Sequence, residues 1–152
     1  RKRVLKALLK QQKTFKFLDL KTHALAIPEV KECQLRHPNL VTFLGFYESQ
    51  DLFCVISECC DGGSLYSYLE TKLSIDDQTA SKMFTQCLKA IEFLHSKAIV
   101  HRDLRLDQFL FTSKHHTKVK LCDLMHAARP TEGYKVIDRA KPVLLLYAAP
   151  ES

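Results

Sequence analysis

The chain has 152 residues, of which 46% are hydrophobic and 26% are charged, and its formal net charge is +6. This composition is typical of a globular domain with one sizeable core and argues against a disordered or fibrous protein. No apolar stretch approaches the roughly 18 residues that a membrane-spanning helix needs, so we expect no membrane contact.

The cysteines and the first three residues indicate the cellular compartment. The six cysteines contain no C-x-x-C pair, and most occupy positions that suit apolar residues, which predicts buried, reduced thiols. Residues 1–3 lack the apolar core of a signal peptide. We therefore expect a reducing compartment, namely the cytoplasm or the nucleus.

The positive charge is concentrated near the beginning of the chain. Residues 1–21 hold eight basic residues and a single acid, Asp19. Such a segment is compatible with nucleic acid or acidic lipid as a partner. Lysines that guard a solvated strand edge explain the same charge without a ligand. We favour the second interpretation and expect no nucleic-acid partner.

The first half of the chain predicts mainly short strands. Residues 14–18 form a β-type run, and residues 40–47 and 52–56 flank a polar turn as in a hairpin. Between these strands, Pro28 is suited to open a short helix that ends before Pro38.

From Ser64 onward the apolar residues recur at helical spacing. A short helix is predicted around Leu65 and Leu69, followed by a longer helix with Ser74 as its expected N-cap. The longer helix carries an apolar stripe in steps of three and four, made of Ala80, Met83, Phe84, Cys87, Leu88, Ile91 and Leu94. Two short strands, 109–111 and 119–122, come next. A strand-rich part thus precedes a helix-rich part, and a cleft between them is a natural ligand site.

Two acidic residues carry the chemical signal. Asp103 lies in the loop 101–108, directly after an apolar run, and Asp123 follows at the end of the second short strand. An acid on a tight loop and a second acid at a strand end suit phosphoryl transfer. One carboxylate orients the hydroxyl nucleophile, and the other holds the magnesium that neutralises the phosphates.

The spacing of these acids closely matches the protein-kinase signature H-R-D-L-x-x-x-N followed by D-F-G. With the segments around it, the chain resembles the central part of a eukaryotic protein kinase domain, more of the Ser/Thr type than of the Tyr type. Further segments match that family in the same order: 4–7 (the strand after the glycine-rich loop), 14–21 (the V-A-I-K strand), 37–41 (before the fourth strand), 56–65 (gatekeeper and hinge), 93–104 (helix end and catalytic loop) and 149–151 (A-P-E).

The resemblance implies a partial, bilobal α+β fold of the protein-kinase type. An antiparallel-sheet N-lobe without the glycine-rich loop would cover 1–58, a hinge 59–63, and an incomplete helical C-lobe 64–152. The C-lobe would hold the catalytic loop at 101–108 and the activation segment at 123–151. We therefore expect the chain to be truncated at both ends.

The resemblance also implies the catalytic residues. Asp103 would be the catalytic base that accepts the proton of the substrate hydroxyl, and Arg105 would place a cation beside the transferring phosphoryl group. Lys16 would clamp the phosphates of ATP, and Glu29 from the short helix would orient that lysine. The implied substrate is a Ser or Thr hydroxyl of another protein.

The remaining implied residues bind nucleotide and metal. Ser57 stands at the gatekeeper position, and the main chain from Glu58 to Cys60 would hydrogen-bond adenine. Asp123 and Gln108 would hold Mg²⁺. ATP and Mg²⁺ are thus the implied cofactors.

Several positions depart from the family pattern and leave a second hypothesis open. Gln108 replaces the metal-binding asparagine, Met125 replaces the glycine of D-F-G, and Leu144 stands where a Ser/Thr kinase usually carries threonine. Magnesium tolerates little deviation from octahedral geometry, so the longer Gln108 side chain counts against a second metal. The two hypotheses are an active Ser/Thr protein kinase and a pseudokinase scaffold that binds partner proteins with weak or no catalysis.

Overall fold

The computed structural model describes residues 3–9, 27, 30, 34–48, 52–72 and 74–130. Over these residues, three strands come before the two α-helices and two short strands follow them. The elements are β1 (Arg3–Leu9), β2 (Phe43–Glu48), β3 (Leu52–Glu58), α1 (Leu65–Glu70), α2 (Asp77–Ser96), β4 (Phe109–Phe111) and β5 (Val119–Leu121). Short 3-10 helices cover Leu106–Gln108 and Leu124–His126. The predicted α+β class is confirmed.

The first three strands form an antiparallel sheet in the order β1-β3-β2. The β2–β3 pair is the predicted hairpin, and its register shifts between Phe43 and Gly45. On the other side of β3, Val4 pairs with Ser57 and Lys6 pairs with Val55. β3 is therefore the central strand, and it leads directly into residues 58–60.

Several predictions fall outside the described residues. They are the strand 14–18 with Lys16, the helix opened by Pro28 with Glu29, and residues 131–151 of the predicted activation segment with Leu144 and the A-P-E triplet.

The long helix α2 begins later than predicted. Asp76, not Ser74, is the N-cap, and its carboxylate accepts a hydrogen bond from the main-chain N–H of Thr79 at 2.8 Å. Ser74 was the wrong choice because it lies two residues before the cap, out of reach of the free N–H groups of the first turn.

The predicted apolar stripe of α2 divides into two faces. Met83, Cys87, Ala90 and Leu94 are buried, and the helix packs on β5. Phe84 and Leu88 are turned about 100° away from that face and are 64% and 48% exposed. They line an apolar groove of about 700 Å³, and Leu104 and Leu106 line the same groove. Within the described ranges, no helix combines the length and the apolarity needed to cross a bilayer.

A pairing between residues 39–41 and β5 links the two parts of the chain. The N–H of Val41 donates to the carbonyl of Leu121, and the N–H of Leu121 donates to the carbonyl of Asn39, both at 2.8 Å. The buried Asn39 side chain donates to the carbonyl of Val119 at 2.8 Å. β5 is therefore fixed against the segment that runs into β2.

Candidate functional site

The loop 101–108 is attached at its start to the segment after Asp123. Val100 and Ala128 exchange two main-chain hydrogen bonds of 2.8 and 2.9 Å. Arg102, whose φ of 65° lies in the left-handed region, donates from Nε to the carbonyl of His126 at 2.7 Å. Left-handed backbone at a non-glycine residue persists only where the surroundings hold it, and such residues cluster at active sites.

His101 forms the floor of the loop. It is 2% exposed; its Nδ1 accepts the N–H of Asp103 at 3.3 Å, and its Nε2 lies 2.9 Å from the carbonyl of Cys122. Since Nδ1 accepts, the proton resides on Nε2 and the ring is neutral. Burial lowers the pKa of His101, with a partial offset from the Cys122 carbonyl and the charges of Asp123 and Asp103. Both ring nitrogens are thus engaged, and His101 connects the start of the loop to Cys122.

Asp103 is held by two side chains of its own loop. Its Oδ2 accepts hydrogen bonds from Nη2 of Arg105 and Nε2 of Gln108, each at 3.1 Å. The Asp103 side chain is 17% exposed and that of Arg105 is 27% exposed. The carboxylate is thus restrained through one oxygen while it keeps some access to solvent, as a proton acceptor in catalysis needs.

Gln108 also connects this loop to Cys122, which lies between β5 and Asp123. Its carbonyl accepts the N–H of Cys122 at 2.8 Å, and its Oε1 lies 3.5 Å from Sγ of Cys122. Asp123 itself has a φ of 60° and a ψ of 67°, so it turns the chain sharply into the helix Leu124–His126. Hydrogen bonds therefore join Asp103 through Gln108 to Cys122, the residue directly before Asp123.

The residues predicted to face adenine lie at the end of β3. The hydroxyl of Ser57 donates to the carbonyl of Glu58 at 3.2 Å. Burial raises the pKa of the Cys60 thiol to about 11, so this thiol is protonated at neutral pH. Cys59 and Cys60 are half-buried and free. Of the four cysteines that the structure reports as free, only Cys87 is buried, so the predicted burial of thiols is right for that one residue.

Lys120 is a site residue that the sequence did not reveal. It is 8% exposed, and its ammonium group donates to the carboxylate of Glu58. A lysine between two buried apolar residues of a three-residue strand was the available signal, because lysine is almost never buried without a partner.

The structure describes seven of the nine predicted site residues and places them in two groups. Ser57, Glu58 and Cys60 lie at the end of β3, whereas Arg105 and Gln108 are hydrogen-bonded to Asp103, and Gln108 is also bonded to Cys122, which precedes Asp123. The other two, Lys16 and Glu29, lie outside the described residues. The apolar groove on α2 is a separate feature, because of these residues only Arg105 lines it.

Metal ligands in this site would have to be few. Over the described ranges, no group of three or more His, Cys, Asp or Glu residues is arranged to hold a metal ion. A magnesium ion bound here would therefore depend on one or two side chains together with ligand phosphates and water, a common arrangement for this ion.

Known proteins resemble this chain in sequence. The family model described as "Protein kinase domain" matches residues 3–152. Calcium-dependent protein kinase 8 of Arabidopsis thaliana is 29% identical over 112 residues, which are 72% of this chain and 21% of that protein. Serine/threonine-protein kinase SIK1 of Rattus norvegicus is 29% identical over 117 residues, or 77% of this chain and 15% of that protein. The chain thus spans about a fifth or less of these relatives.

A solved structure supports the same assignment. The crystal structure of Rad53 1-466 in complex with AMP-PNP matches with a TM-score of 0.64 at 25% identity, over 82% of this chain and 31% of that chain. The predicted kinase-like fold is confirmed by this match and by the family model. The chain belongs to the protein kinase domain family.

Proposed function

We propose that this protein is an ATP-dependent kinase that transfers the γ-phosphoryl group of ATP to Ser or Thr hydroxyls of a protein substrate. The observation that carries the proposal is the setting of Asp103, whose carboxylate is restrained by Arg105 and Gln108 in a loop hydrogen-bonded to the strand that leads to Asp123. The relatives named as Ser/Thr kinases support the choice of substrate hydroxyl.

The chemistry assigned to the loop is a single displacement. The substrate hydroxyl oxygen forms a bond to the γ-phosphorus while the bond from that phosphorus to the bridging oxygen of ADP breaks. Asp103 orients the hydroxyl and accepts its proton. Arg105 keeps the Asp103 carboxylate in place and adds positive charge where negative charge develops.

Adenine is assigned to the main chain of residues 58–60. The AMP-PNP bound to Rad53 supports a nucleotide in the corresponding cleft of this chain. The Ser57 hydroxyl already donates to the carbonyl of Glu58, but a carbonyl oxygen has two lone pairs, so it still has capacity to accept from an adenine amino group.

Magnesium is assigned to Asp123. A carboxylate at a sharp turn beside the loop of Asp103 is the kind of oxygen ligand that Mg²⁺ prefers. When bound, the ion would neutralise phosphate charge. Gln108, the second predicted ligand, has its amide nitrogen turned to Asp103 and its oxygen toward Cys122. It would have to give up the bond to Asp103 to serve the metal, so we assign it first to holding Asp103.

The lysine that clamps the phosphates has two candidates. Lys16, oriented by Glu29, is the assignment made from the sequence and stays a prediction. Lys6 is the second candidate, since β1 is the neighbour of β3 and Lys6 pairs with Val55, two residues before Ser57.

A pseudokinase scaffold is the second candidate function. The observation that favours it is that both ends of the Gln108 amide have protein partners, the nitrogen at Asp103 and the oxygen at Cys122, which counts against Gln108 as a metal ligand. In this case the cleft would bind nucleotide weakly or not at all, and protein partners would be the ligands. For either function we propose the cytoplasm or the nucleus as the compartment, with no membrane or nucleic-acid partner.

Phosphate transfer from γ-labelled ATP separates the two functions. The full-length protein is compared with an Asp103→Asn variant and with a matched Asp107→Asn control, which changes an exposed acid of the same loop. We expect transfer by the unchanged protein and by the control, and its loss in Asp103→Asn. Equal transfer by all three would contradict the proposed base, and no transfer by any would favour the scaffold.

A further inference from the structure

An ion pair between the half-buried Glu58 and the buried Lys120 connects the end of β3 to β5. The Lys120 ammonium donates to Oε1 of Glu58, and Lys120 is 8% exposed. The same Oε1 accepts the N–H of Thr42 at 2.7 Å. The N–H of Glu58 in turn donates to the carbonyl of Thr42 at 2.9 Å. Lysine is almost never buried without a partner, so the buried Lys120 ammonium holds the Glu58 carboxylate beside β5 and restricts where residue 58 can lie.

The pair closes a ring of contacts through the main chain. Thr42 follows Val41, whose N–H donates to the carbonyl of Leu121 at 2.8 Å, and Leu121 follows Lys120. The ring therefore runs from Glu58 to Thr42 and Val41, across to Leu121, and back through Lys120 to Glu58. Every step is a hydrogen bond or a peptide link.

The ionisation of Glu58 agrees with this arrangement. Burial alone would raise the pKa of the Glu58 carboxyl, but its hydrogen bonds with Lys120 and Thr42 lower that pKa overall. The carboxylate is therefore charged at neutral pH and attracts the ammonium group.

We propose that the Glu58–Lys120 pair is a positioning device that holds the adenine-binding main chain at a fixed distance from Asp123. The inference rests on the proposed function. Glu58 begins the adenine segment, and Asp123 lies three residues after Lys120. A nucleotide that is already bound at the adenine segment makes its contact with Asp123 intramolecularly. Its affinity therefore depends on the distance between the adenine segment and Asp123 being kept fixed.

This role predicts different losses for two ligands. Adenosine contacts only the adenine segment, whereas ATP with Mg²⁺ also reaches Asp123. Breaking the Glu58–Lys120 pair should lower the effective concentration of Asp123 at the phosphates and so weaken ATP binding about 10-fold. The affinity for adenosine, which does not reach Asp123, should change by no more than about 2-fold.

The test uses a double variant, Glu58→Gln with Lys120→Met, in the full-length protein. Both replacements are neutral and close in volume to the residues they replace, and the Gln oxygen still accepts the N–H of Thr42. Lys118→Met is the matched control, since Lys118 is exposed two residues earlier. Affinities for ATP with Mg²⁺ and for adenosine are measured by isothermal titration calorimetry. Glu58→Gln alone, which keeps a weaker acceptor for Lys120, should lose about 3-fold in ATP affinity.

Each outcome has a distinct meaning. Selective loss of ATP affinity in the double variant, or in Glu58→Gln if the double variant does not fold, supports the pair as a positioning device. Equal losses for both ligands would show local damage to the adenine segment, and unchanged ATP affinity would show that the pair is only structural; both overturn the inference. If the unchanged protein binds neither ligand, the proposed nucleotide site fails and the inference fails with it.

Discussion

Replacing Gln108 by asparagine separates the two roles open to its amide, which are to hold Asp103 or to bind metal. Gln108 is 6% exposed, and its Nε2 lies 3.1 Å from Oδ2 of Asp103. Removing one methylene withdraws the amide by about 1.5 Å, one carbon–carbon bond. The distance to Asp103 then grows from 3.1 Å to about 4.6 Å, beyond hydrogen-bonding range.

The expected loss of kcat depends on the interactions that the Asp103 carboxylate retains in Gln108→Asn. A hydrogen bond to a charged group contributes roughly 1.5–3 kcal/mol. Asp103 retains Arg105 and some solvent access, with a side chain that is 17% exposed, so we expect the lower end, about 1.5 kcal/mol. If that interaction is needed to orient the carboxylate in the transition state, kcat falls about 10-fold.

The assay is steady-state phosphate transfer at several Mg²⁺ concentrations, together with chemical denaturation. We expect Gln108→Asn to lower kcat and leave the affinity for ATP unchanged. Gln78→Asn, the same change at an exposed position in the first turn of α2, serves as the control. If Gln108→Asn raises kcat, or lowers the Mg²⁺ concentration at which transfer is half-maximal, this reasoning is refuted, because either result would show that the side chain binds the metal.

Three further predictions concern the lysine, the buried histidine and the helix cap. We expect Lys16→Met to weaken ATP binding more than Lys6→Met in a direct binding assay; an effect confined to Lys6→Met would contradict the assignment made from the sequence. Burial lowers the pKa of His101, so its contribution to the unfolding free energy is full above the ordinary value of about 6.5 and is lost as pH falls toward the lowered folded value. Denaturation between pH 5 and 8 should show this slope, and His101→Phe should flatten it; an unchanged slope would contradict the assignment. Asp76→Ala should lower the Tm and Ser74→Ala should not, whereas the reverse order would contradict the observed cap.

Local periodicity was enough to predict most of the described elements. The turn between two β-type runs gave the β2–β3 hairpin, and apolar steps of three and four gave α2. The beginning of α2 was wrong because Ser74 and Asp76 are both good caps, and the choice depends on which residue reaches Thr79. The two faces of α2 also needed the structure, since Phe84 and Met83 are equally apolar in the sequence and differ only in what packs on them.

The candidate site was predictable where its residues are close in sequence. Asp103, Arg105 and Gln108 form one short motif, and the structure shows that they contact one another. The partner of Glu58 was not predictable, because Lys120 lies 62 residues away and reaches it only through the pairing of residues 39–41 with β5. Long-range contacts of this kind depend on strand register, which no local pattern encodes.

The most direct test of the account is a crystal structure of the protein with AMP-PNP and Mg²⁺. We predict adenine against the main chain of residues 58–60 and the phosphates between Asp103 and Asp123, with the Asp103 carboxylate facing the γ-phosphate. A nucleotide bound elsewhere, or one whose phosphates reach neither acid, would contradict the account.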